Sequence, residues 1–387
     1  MKVSGIVCEY NPFHNGHAYH IAETRRNGAT HIVCIMSGNF VQRGDVAVLD
    51  KFTRAELAVQ SGADLVIELP VAYCLSSAGI FARGAVYLLD SLGCVDEISF
   101  GSECGDIQKI ISAMDIADEI SQLETVRMFR ECGYTYPRAV SEILREIDEE
   151  SAEIISEPNN ILAVEYMRAL KYFKSGIKPF TVKRSGAGHD STEISHNSAS
   201  ASYIRTHIES ARDFVPEIWA NTLESGTADI KYLERAILYK IRTAEDEEIW
   251  EISDSGGLAE RIYGNKAQSL DKLFESVKSK NCTMAKVKRV ILSLLIGIPK
   301  IKMCLPPYAR VLAFNENGKE ILALTKKTKK IPVGTSLAKL SRLDCDAHCF
   351  AELESRATDI YSLAWEKIRP AEQDYRKKIQ ETRVNND

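Results

Sequence analysis

Two histidines separated by two residues are the first feature of the sequence that could do chemistry. His14 and His17 follow a short apolar run, Lys2–Cys8, and stand where a helical pattern of about His17–Arg26 begins. Residues three apart lie on one side of a helical turn, and a helix N-terminus offers unpaired N–H groups to anions. Both imidazoles can donate hydrogen bonds to phosphate oxygens as negative charge builds during attack on an α-phosphate. The pattern therefore predicts a nucleotide phosphate site.

The residues beside the histidines support this interpretation. Gly16 removes the Cβ that would hold a nucleotide away from the backbone, and Pro12 and Phe13 would shape the turn. Two other interpretations stay open: ordinary surface histidines near a turn, or a zinc site, because His20 follows His17 by one more turn. No carboxylate or thiol is spaced as a fourth zinc ligand, and this weakens the metal interpretation.

The elements that must hold these residues alternate along the start of the chain. Strand-like apolar runs are separated by helix-like patterns, which predicts an α/β fold with a parallel sheet of the doubly wound kind. Ligands of such sheets lie beyond the carboxyl ends of the strands, here after Val7, Met36 and Phe100. The strand-like runs are Lys2–Cys8, Thr30–Met36, Asp64–Pro70 and Glu97–Ser102, and the helical patterns are about His17–Arg26, Lys51–Ser61 and Ser76–Leu92.

In the rest of the chain, the predicted secondary-structure pattern changes twice. About residues 106–170 read as helical, a strand at Pro179–Arg184 returns to the sheet, and a loop at Ser185–Ser200 leads into a helix near Ser202. Beyond about residue 210, long helical patterns such as Ile230–Thr243 and Thr283–Leu295 dominate. We therefore predict two domains, residues 1–210 and a mainly α-helical C-terminal domain at residues 211–387.

The segments around the histidines resemble a known family. His14-x-Gly16-His17 is similar to the HIGH motif of the nucleotidylyltransferase superfamily, which class I aminoacyl-tRNA synthetases share. The wider pattern, over essentially the whole chain, resembles the tRNA(Met) cytidine acetate ligase family, which implies a Rossmann-like ATP-binding catalytic domain followed by a tRNA-binding domain. The segments that carry this resemblance are Val7–His20, Met36–Gly44, Asp64–Pro70, Phe100–Glu103 and Pro158–Leu162.

The resemblance implies an enzyme, a ligase that forms acetyl-adenylate from acetate and ATP and releases pyrophosphate. It then transfers the acetyl group to N4 of the wobble cytidine of elongator tRNA(Met), giving N4-acetylcytidine. Mg²⁺ is expected with ATP, and neither DNA nor a membrane is expected as a partner. Two alternatives remain: a nucleotidylyltransferase that adenylates a small phosphate-bearing metabolite, or a non-catalytic RNA-binding protein with a vestigial nucleotide fold.

By the same resemblance, the catalytic roles fall on His14 and His17. ATP contacts are implied along the whole first loop and at six later positions. These ATP-binding residues are Val7, Cys8, Glu9, Tyr10, Asn11, Pro12, Phe13, His14, Asn15, Gly16, His17, Ala18, Tyr19, His20, Gly101, Asn159, Asn160, Arg184, Ser202 and Arg205.

The later positions also have physical reasons of their own. Gly101, at a strand end, would let a base or sugar lie against the backbone. Of Asn159 and Asn160, one would bind the nucleotide and the other cap a helix that begins near the next residue. Arg184 at a strand end suits a phosphate contact. Ser198–Arg205 resembles the second signature of these transferases, in which hydroxyls and an arginine hold the β- and γ-phosphates, although no lysine-rich KMSKS loop is present.

The loop after the second strand is a further candidate. Gly38 and Gly44 would allow a ligand to approach the backbone closely, and Arg43 could hold a phosphate or a carboxylate. A plain connecting loop with a solvated arginine is the alternative. On the next helix, Lys51 and Arg54 lie one turn apart and are expected on a solvated face.

Charge limits the class of partner. Lys and Arg total 49 against 54 for Asp and Glu, a net charge of −5 over 387 residues, which argues against a protein that coats nucleic acid. Two basic runs, Lys272–Lys302 and Lys326–Lys330, could still neutralise RNA phosphates. Tyr308, Arg310 and Phe314 could stack on an unpaired base or pack in a core.

The cysteines and the hydropathy pattern indicate the cytoplasm. Ten cysteines lack the short-spaced framework of a disulfide scaffold, so most are expected to be reduced thiols. Cys345, His348 and Cys349 are the one close group, and helix positions explain them better than a metal site. No apolar run reaches the roughly 20 residues of a membrane span, and the N-terminus carries no cleavage signal.

Overall fold

The computed structural model describes residues 1–132, 134, 136–184, 200–252, 256–279, 282–299 and 305–384. Residues 185–199 of the predicted loop Ser185–Ser200, with Ser198, lie outside the described residues, as do Lys280, Lys300 and Lys302. The strands are β1 (Val3–Cys8), β2 (His31–Ser37), β3 (Phe40–Val41), β4 (Asp45–Val46), β5 (Leu65–Leu69), β6 (Glu97–Ser102), β7 (Lys178–Lys183), β8 (Ala309–Phe314) and β9 (Val333–Gly334).

The helices lie mostly between and after these strands. Up to β7 they are α1 (Asn15–Arg26), α2 (Lys51–Gln60), α3 (Val71–Cys74), α4 (Ala78–Leu92), α5 (Ile107–Ser121), α6 (Glu124–Glu131), α7 (Tyr136–Ile147), α8 (Glu149–Ile154) and α9 (Pro158–Phe173). After β7 they are α10 (Ala201–Thr206), α11 (Glu217–Glu224), α12 (Glu234–Thr243), α13 (Asp246–Ile252), α14 (Gly256–Ile262), α15 (Leu270–Val277), α16 (Met284–Ile296), α17 (Glu316–Thr328), α18 (Leu337–Leu340), α19 (Cys345–Tyr361) and α20 (Gln373–Arg376).

One sheet organises the described residues, with the strand order β7-β6-β1-β2-β5-β8-β9. Neighbours from β7 to β5 are parallel. The chain runs from β1 through β2 to β5 on one side and returns to β6 and β7 on the other, so the order reverses beside β1. The predicted doubly wound, Rossmann-like α/β fold with a mainly helical C-terminal region is confirmed.

The C-terminal region also contributes to this sheet. β8 pairs antiparallel with β5, with Leu65 opposite Phe314, and β9 pairs parallel with β8. Tyr308 and Arg310 are buried at this edge, so they belong to the core and are not available to stack on a base. The division of the chain at residue 210 stays a prediction, and the sheet is built from residues on both sides of it.

The central strands are buried on both faces, which is why their sequences are continuously apolar. Ile32, Cys34 and Met36 of β2 pack into one hydrophobic core, and Val33 and Ile35 pack into the other. Alternate residues of a strand point to opposite faces, so each core receives every second residue. The first core also holds the helices from α11 to α16, and the second holds α4, α9 and part of α19.

Lys51 and Arg54 are buried, 1% and 0% exposed, and the prediction of a solvated helix face is wrong for both. Arg54 donates hydrogen bonds to the carbonyl oxygens of Leu49, Glu9 and Ser37. A buried guanidinium must have such partners, because an unpaired buried charge is very costly. Arg54 therefore joins the loops that follow β1 and β2.

Lys51 belongs to a buried group of five charged side chains that we call the ion cluster: Lys51, Glu68, Arg310, Glu354 and Asp374. Lys51 Nζ lies 2.5 Å from Glu68 and 2.8 Å from Asp374. Arg310 lies 3.1 Å from Glu68 and also pairs with Asp374. The cluster therefore connects α2 and β5 with β8, α19 and α20.

Candidate active site

A cleft of about 410 Å³ opens beyond the carboxyl ends of β1 and β6, where the strand order reverses and ligands bind in open α/β sheets. Fifteen of the predicted site residues line it, whereas Pro12, Phe13, Asn15, Ala18 and Asn160 do not. The residues that line it are Val7, Cys8, Glu9, Tyr10, Asn11, His14, Gly16, His17, Tyr19, His20, Gly101, Asn159, Arg184, Ser202 and Arg205.

The two histidines form a reciprocal cap at the start of α1. His14 is the N-cap residue and its Nδ1 accepts a hydrogen bond from the N–H of Gly16 at 3.1 Å. His17 Nδ1 accepts from the N–H of His14 at 3.1 Å. A ring nitrogen that accepts carries no proton, so in each neutral ring the proton lies on Nε2. The rings are stacked with centroids 3.8 Å apart, and they form a pair of Nε2–H donors at the helix N-terminus.

Gly16 is needed for a reason that the sequence did not indicate. A Cβ at this position would lie 2.9 Å from His14 Cε1 and 3.0 Å from its Nδ1. The glycine thus makes room for the histidine ring that caps the helix. The predicted close approach of a nucleotide to this backbone stays a prediction.

Aromatic side chains pack against the turn that carries His14 and His17 and support it. Phe13 is fully buried and stacks on Trp219 of α11, with ring centroids 5.6 Å apart and an interplanar angle of 18°. Tyr10 packs edge-on against Phe13 and His17. Sequence reasoning missed Trp219, since it lies about 200 residues from the motif it supports.

The other predicted residues outside the cleft act on the same loop. Asn15 donates its backbone N–H to the carbonyl of Phe214 at 2.8 Å. Pro12 follows a cis peptide bond and is buried. These positions shape and hold the loop, and their side chains are not among those that line the cleft.

Glu9 is a carboxylate inside the cleft. Its Oε1 accepts a hydrogen bond from the N–H of Gln42 at 2.7 Å, and Gln42 itself lines the cleft. Burial raises the pKa of Glu9, and the backbone hydrogen bond from Gln42 and the charges of Arg205 and Arg43 act in the opposite direction.

Two segments far apart in sequence meet at the cleft. Arg205 donates to the carbonyl of Asn11 at 2.9 Å and to Ser202 Oγ at 2.9 Å. Arg43 Nη1 lies 3.5 Å from the same hydroxyl and lines the cleft. The structure thus brings two arginines and a hydroxyl beside the histidine loop, as phosphate binding requires, while their contacts with phosphates stay predictions.

The glycines of the loop after β2 serve protein contacts. A Cβ at Gly38 would lie 3.0 Å from Glu68 Oε1 of the ion cluster. Gly44 has φ +77°, and a Cβ there would lie 2.7 Å from the backbone nitrogen of Arg289 on α16. Neither glycine lines the cleft, and the expectation that they let a ligand approach the backbone stays a prediction.

Asn159 and Asn160 have different roles: Asn159 faces the cleft, and Asn160 bonds to backbone groups of the protein. Asn160 Oδ1 accepts from the N–H groups of Glu103 and Cys104 at 3.0 and 3.1 Å, and the Glu103 carboxylate accepts from the Asn160 N–H at 3.0 Å. The helix begins at Pro158, so neither asparagine is the predicted cap. Asn160 holds the loop after β6, and Asn159 lines the cleft.

Gly101 and Arg184 lie together at one wall. A Cβ on Gly101 would make ordinary contact with Arg184 Cγ at 3.4 Å. The arginine side chain therefore crosses the end of β6 beside the glycine, where both predicted ligands face the cleft.

Apolar side chains form another part of the wall, and sequence reasoning did not assign them to the site. They are ordinary core residue types, so no local signal separates them from core positions. The residues are Ile6, Phe81, Phe100, Ile161, Leu162, Tyr166 and Val182. A cleft with apolar walls and a few polar groups is typical of sites for small ligands.

The described part of the chain shows neither a cluster of metal ligands nor a membrane-spanning helix. There, no three or more His, Cys, Asp or Glu side chains are grouped so that they could hold a metal ion. No described helix is long and apolar enough to cross a membrane. Cys345, His348 and Cys349 are exposed at the start of α19.

Comparisons with known proteins agree with this geometry. The family model described as HIGH nucleotidyl transferase matches residues 1–376. A tRNA(Met) cytidine acetate ligase of Thermoanaerobacter sp. (strain X514) is 37% identical over 397 residues, 97% of this chain and 98% of that protein. A ligase of the same name from Caldanaerobacter subterraneus subsp. tengcongensis is 38% identical over 398 residues, with the same coverage of both.

Solved structures are similar over the whole length. The apo form I crystal structure of Thermotoga maritima TmcAL has a TM-score of 0.90 and 31% identity, and the match covers 99% of this chain and 100% of that chain. The structure of the same protein bound with alpha-thio ATP has a TM-score of 0.88 and 32% identity, with the same coverage. With the paired imidazoles of its HIGH-type motif at the expected place in the fold, the chain belongs to the tRNA(Met) cytidine acetate ligase family of HIGH nucleotidyl transferases.

Proposed function

We propose that the protein is an ATP-dependent acetate ligase that acetylates N4 of the wobble cytidine in elongator tRNA(Met). One observation carries the proposal: His14 and His17 are each fixed by a backbone N–H at Nδ1 and so present Nε2–H donors at the mouth of the cleft. Donors of this kind stabilise charge that develops on a phosphate in the transition state. The names and crystal ligand of the relatives support ATP and the acetyl acceptor.

In the first step, a carboxylate oxygen of acetate attacks the α-phosphorus of ATP. The bond between that phosphorus and the bridging oxygen breaks, and pyrophosphate leaves with its electron pair. The two imidazoles donate to the α-phosphate oxygens, while Arg43, Arg205 and Ser202 face the β- and γ-phosphates. Positioning and charge stabilisation account for most of the rate of such transfers.

In the second step, the N4 amine of the cytidine attacks the acetyl carbonyl carbon. A C–N bond forms, the C–O bond to the adenylate breaks, AMP leaves and the nitrogen loses a proton. No protein nucleophile is needed, so no cysteine is assigned a role.

Mg²⁺ belongs to the proposal as the usual companion of a triphosphate. The described residues offer no cluster of three or more metal ligands. When bound, the ion would neutralise phosphate charge, and it would be held chiefly by the phosphates themselves.

The tRNA would approach the cleft across the C-terminal region, which we propose to be the tRNA-binding domain, residues 211–387. Arg289 of α16 donates to the Gln42 carbonyl at 2.9 Å, and Lys288 lies 3.8 Å from Asp45. The basic face of α16 therefore borders a loop that lines the cleft. A tRNA substrate also implies the cytoplasm as the place of action.

The experiment combines the protein with ATP, labelled acetate and total tRNA, and detects N4-acetylcytidine by mass spectrometry of digested tRNA. We expect label in the tRNA(Met) fraction only, together with AMP and pyrophosphate. Adenylate retained in a small product, without label in RNA, would instead indicate a metabolite nucleotidylyltransferase. RNA binding without any use of ATP would indicate a non-catalytic RNA-binding protein.

A further inference from the structure

His20 lies one helical turn beyond His17 on α1, and a chain of three hydrogen bonds runs from its ring through Ser99 and Thr24 to its own backbone carbonyl. Its Nε2 is 2.9 Å from Ser99 Oγ, and Ser99 Oγ is 2.7 Å from Thr24 Oγ1. Thr24 Oγ1 donates to the backbone carbonyl of His20 at 2.8 Å. Ser99 and Thr24 are fully buried, so water does not alter this arrangement.

The direction of each hydrogen bond follows from the carbonyl, which can only accept. The single proton of Thr24 points to that carbonyl, so Thr24 Oγ1 must accept the proton of Ser99. Ser99 Oγ in turn must accept from His20 Nε2–H. Burial, and then the positive charge of Arg184, lower the pKa of His20 to about 4, so the ring is neutral at physiological pH and its Nδ1 carries a lone pair.

That nitrogen is available to a ligand. His20 lines the cleft and is half-buried. Among the described residues, Nδ1 has no hydrogen-bond partner, and it is not among the fully buried polar atoms that lack one. A bare acceptor repels phosphate oxygens, which are acceptors too, so His20 differs in chemistry from His14 and His17.

We propose that His20 Nδ1 is a specificity-determining acceptor, set by Ser99 and Thr24, that receives a hydrogen bond from a donor group of the nucleoside. On ATP the donors are the two ribose hydroxyls and the N6 amine of adenine. This inference rests on the proposed use of ATP and assigns His20 to the nucleoside end of that substrate. His20 then discriminates among nucleosides, while the pair at the helix N-terminus acts on phosphate.

The test measures the dissociation constants of ATP, 2′-deoxy-ATP, 3′-deoxy-ATP and purine riboside triphosphate by calorimetry. Each analogue lacks one of the three donors. We expect the wild-type protein to bind one analogue about tenfold more weakly than ATP, the usual range for a lost hydrogen bond that leaves its partner unpaired. His20→Ala should weaken ATP by a similar factor and bind that analogue as well as ATP.

A second variant, with a matched control, tests the hydrogen-bonded chain of His20, Ser99 and Thr24. Thr24→Val frees the Ser99 proton to point at Nε2, which moves the ring proton to Nδ1 and removes the acceptor. Thr243→Val removes a helical hydroxyl with the same bond to a carbonyl four residues earlier, at 2.9 Å, at a residue that does not line the cleft. We expect Thr24→Val to abolish discrimination of the same analogue and Thr243→Val to keep it.

Nitrogen-15 NMR of histidine-labelled protein reports the tautomer in the free wild-type enzyme, and so it does not depend on the folding of any variant. We expect His20 protonated at Nε2 and bare at Nδ1. A proton on Nδ1, equal binding of all three analogues, or a penalty that persists in His20→Ala would overturn the inference. If ATP binds and supports acetate-dependent pyrophosphate exchange under those outcomes, only the role of His20 fails, whereas the absence of ATP binding overturns the proposed function as well.

Discussion

The smallest functional unit of the protein is a histidine ring whose two nitrogens have different partners. At His14 and His17, Nδ1 accepts from the backbone and Nε2 carries the proton, whereas at His20 Nε2 donates to Ser99. One residue type, spaced along a single helix, thus supplies two donors and one acceptor. The backbone and buried hydroxyls determine which role each ring takes.

Substitution at His17 can separate its capping role from its proposed chemical role. An asparagine amide places an acceptor near the position of Nδ1 but no donor near Nε2, and glutamine does the reverse. His17→Asn should therefore retain most of the stability of the cap, worth about 1 kcal/mol, and lose about 10² to 10³ in acetate-dependent pyrophosphate exchange, as for a lost transition-state donor.

His17→Gln should show the opposite pattern, with a lower midpoint of thermal unfolding and more residual exchange activity. His348→Ala, an exposed histidine on α19, is the control and should change neither quantity. Equal activity of the Asn and Gln variants would contradict the assignment of the Nε2 donor.

At the scale of elements, sequence patterns predicted those parts of the fold that depend on neighbouring residues. The runs that became β1, β2, β5 and β6 are largely apolar because both faces of a parallel sheet are covered, so composition alone indicates them. β8 was missed because it joins the sheet from about 240 residues beyond β5, and nothing within Ala309–Phe314 specifies its partner.

The candidate site also has parts that local sequence patterns predicted and parts that they did not. The HIGH-type motif and its place after the first strand were predictable, because both depend on a short segment. The burial of Lys51 was not, since its carboxylates come from Glu68 and from Asp374 at the other end of the chain. For the same reason, the sequence did not predict that Trp219 supports the histidine loop or which apolar residues form the walls of the cleft.

The loop that carries the histidines depends on α11, and a substitution at Trp219 tests this. Trp219→Phe keeps a ring against Phe13 but loses the bond from Nε1 to Ser61 Oγ, which is 3.0 Å long. Trp219→Ala leaves a cavity and should lower the free energy of unfolding by about 3–5 kcal/mol, whereas the Phe variant should lose about 1 kcal/mol.

Urea unfolding and ATP binding measured on the same samples distinguish packing from site geometry. We expect Trp219→Phe to retain ATP affinity and Trp219→Ala to lose part of it under conditions where the protein is still folded. Trp250→Ala, at a tryptophan 43% exposed, should stay within about 0.5 kcal/mol of wild type. Unchanged ATP affinity in folded Trp219→Ala would show that α11 does not position the loop.

At the scale of the whole molecule, the ion cluster joins the N-terminal part of the chain, at Lys51 and Glu68, to its C-terminal part. It contains two cations and three carboxylates, and Glu354 is the carboxylate farthest from a cation, with Lys51 at 4.0 Å. Its Oε1 accepts from the Val71 N–H at 2.5 Å. Burial, and then the charge of Glu68, raise the pKa of Glu354 well above its ordinary value, so a proton on Glu354 leaves the cluster neutral.

This proton gives the stability of the protein a pH dependence with a defined sign. Above the ordinary pKa of a glutamate, near 4.5, the unfolded chain releases the proton while the folded chain keeps it. The free energy of unfolding therefore falls with rising pH until the raised pKa is passed. Glu354→Gln, which keeps the acceptor for Val71 and cannot ionise, should remove this contribution.

Thermal unfolding of both proteins from pH 5 to pH 8 measures the effect. We expect the difference in midpoint to grow in favour of Glu354→Gln as the pH rises. Lys51→Met is the contrasting variant, because it leaves buried carboxylates unpaired and should cost about 3–5 kcal/mol. Parallel curves for wild type and Glu354→Gln would mean that Glu354 is ionised in the folded protein.

The two basic runs differ in their place on the molecule, and this predicts which of them meets RNA. Lys286 and Lys288 lie on α16, which borders the cleft through Arg289 and Gln42. Lys326–Lys330 leads to the amino ends of the strands, on the side away from the cleft, where the N–H of Lys330 donates to the carbonyl of Ser91 near the end of α4. An RNA whose cytidine enters the cleft should therefore contact the α16 run.

Each lysine that neutralises a phosphate contributes about one unit to the slope of log affinity against log salt concentration. The double variant Lys286→Ala, Lys288→Ala should thus bind tRNA more weakly and with a slope shallower by about two units. Pyrophosphate exchange without tRNA should remain intact, because ATP and acetate do not need these side chains. Lys326→Ala, Lys327→Ala removes equal charge near the amino ends of the strands and should leave the slope unchanged. If the two double variants lower the slope equally, net charge governs tRNA binding and α16 does not form a docking face.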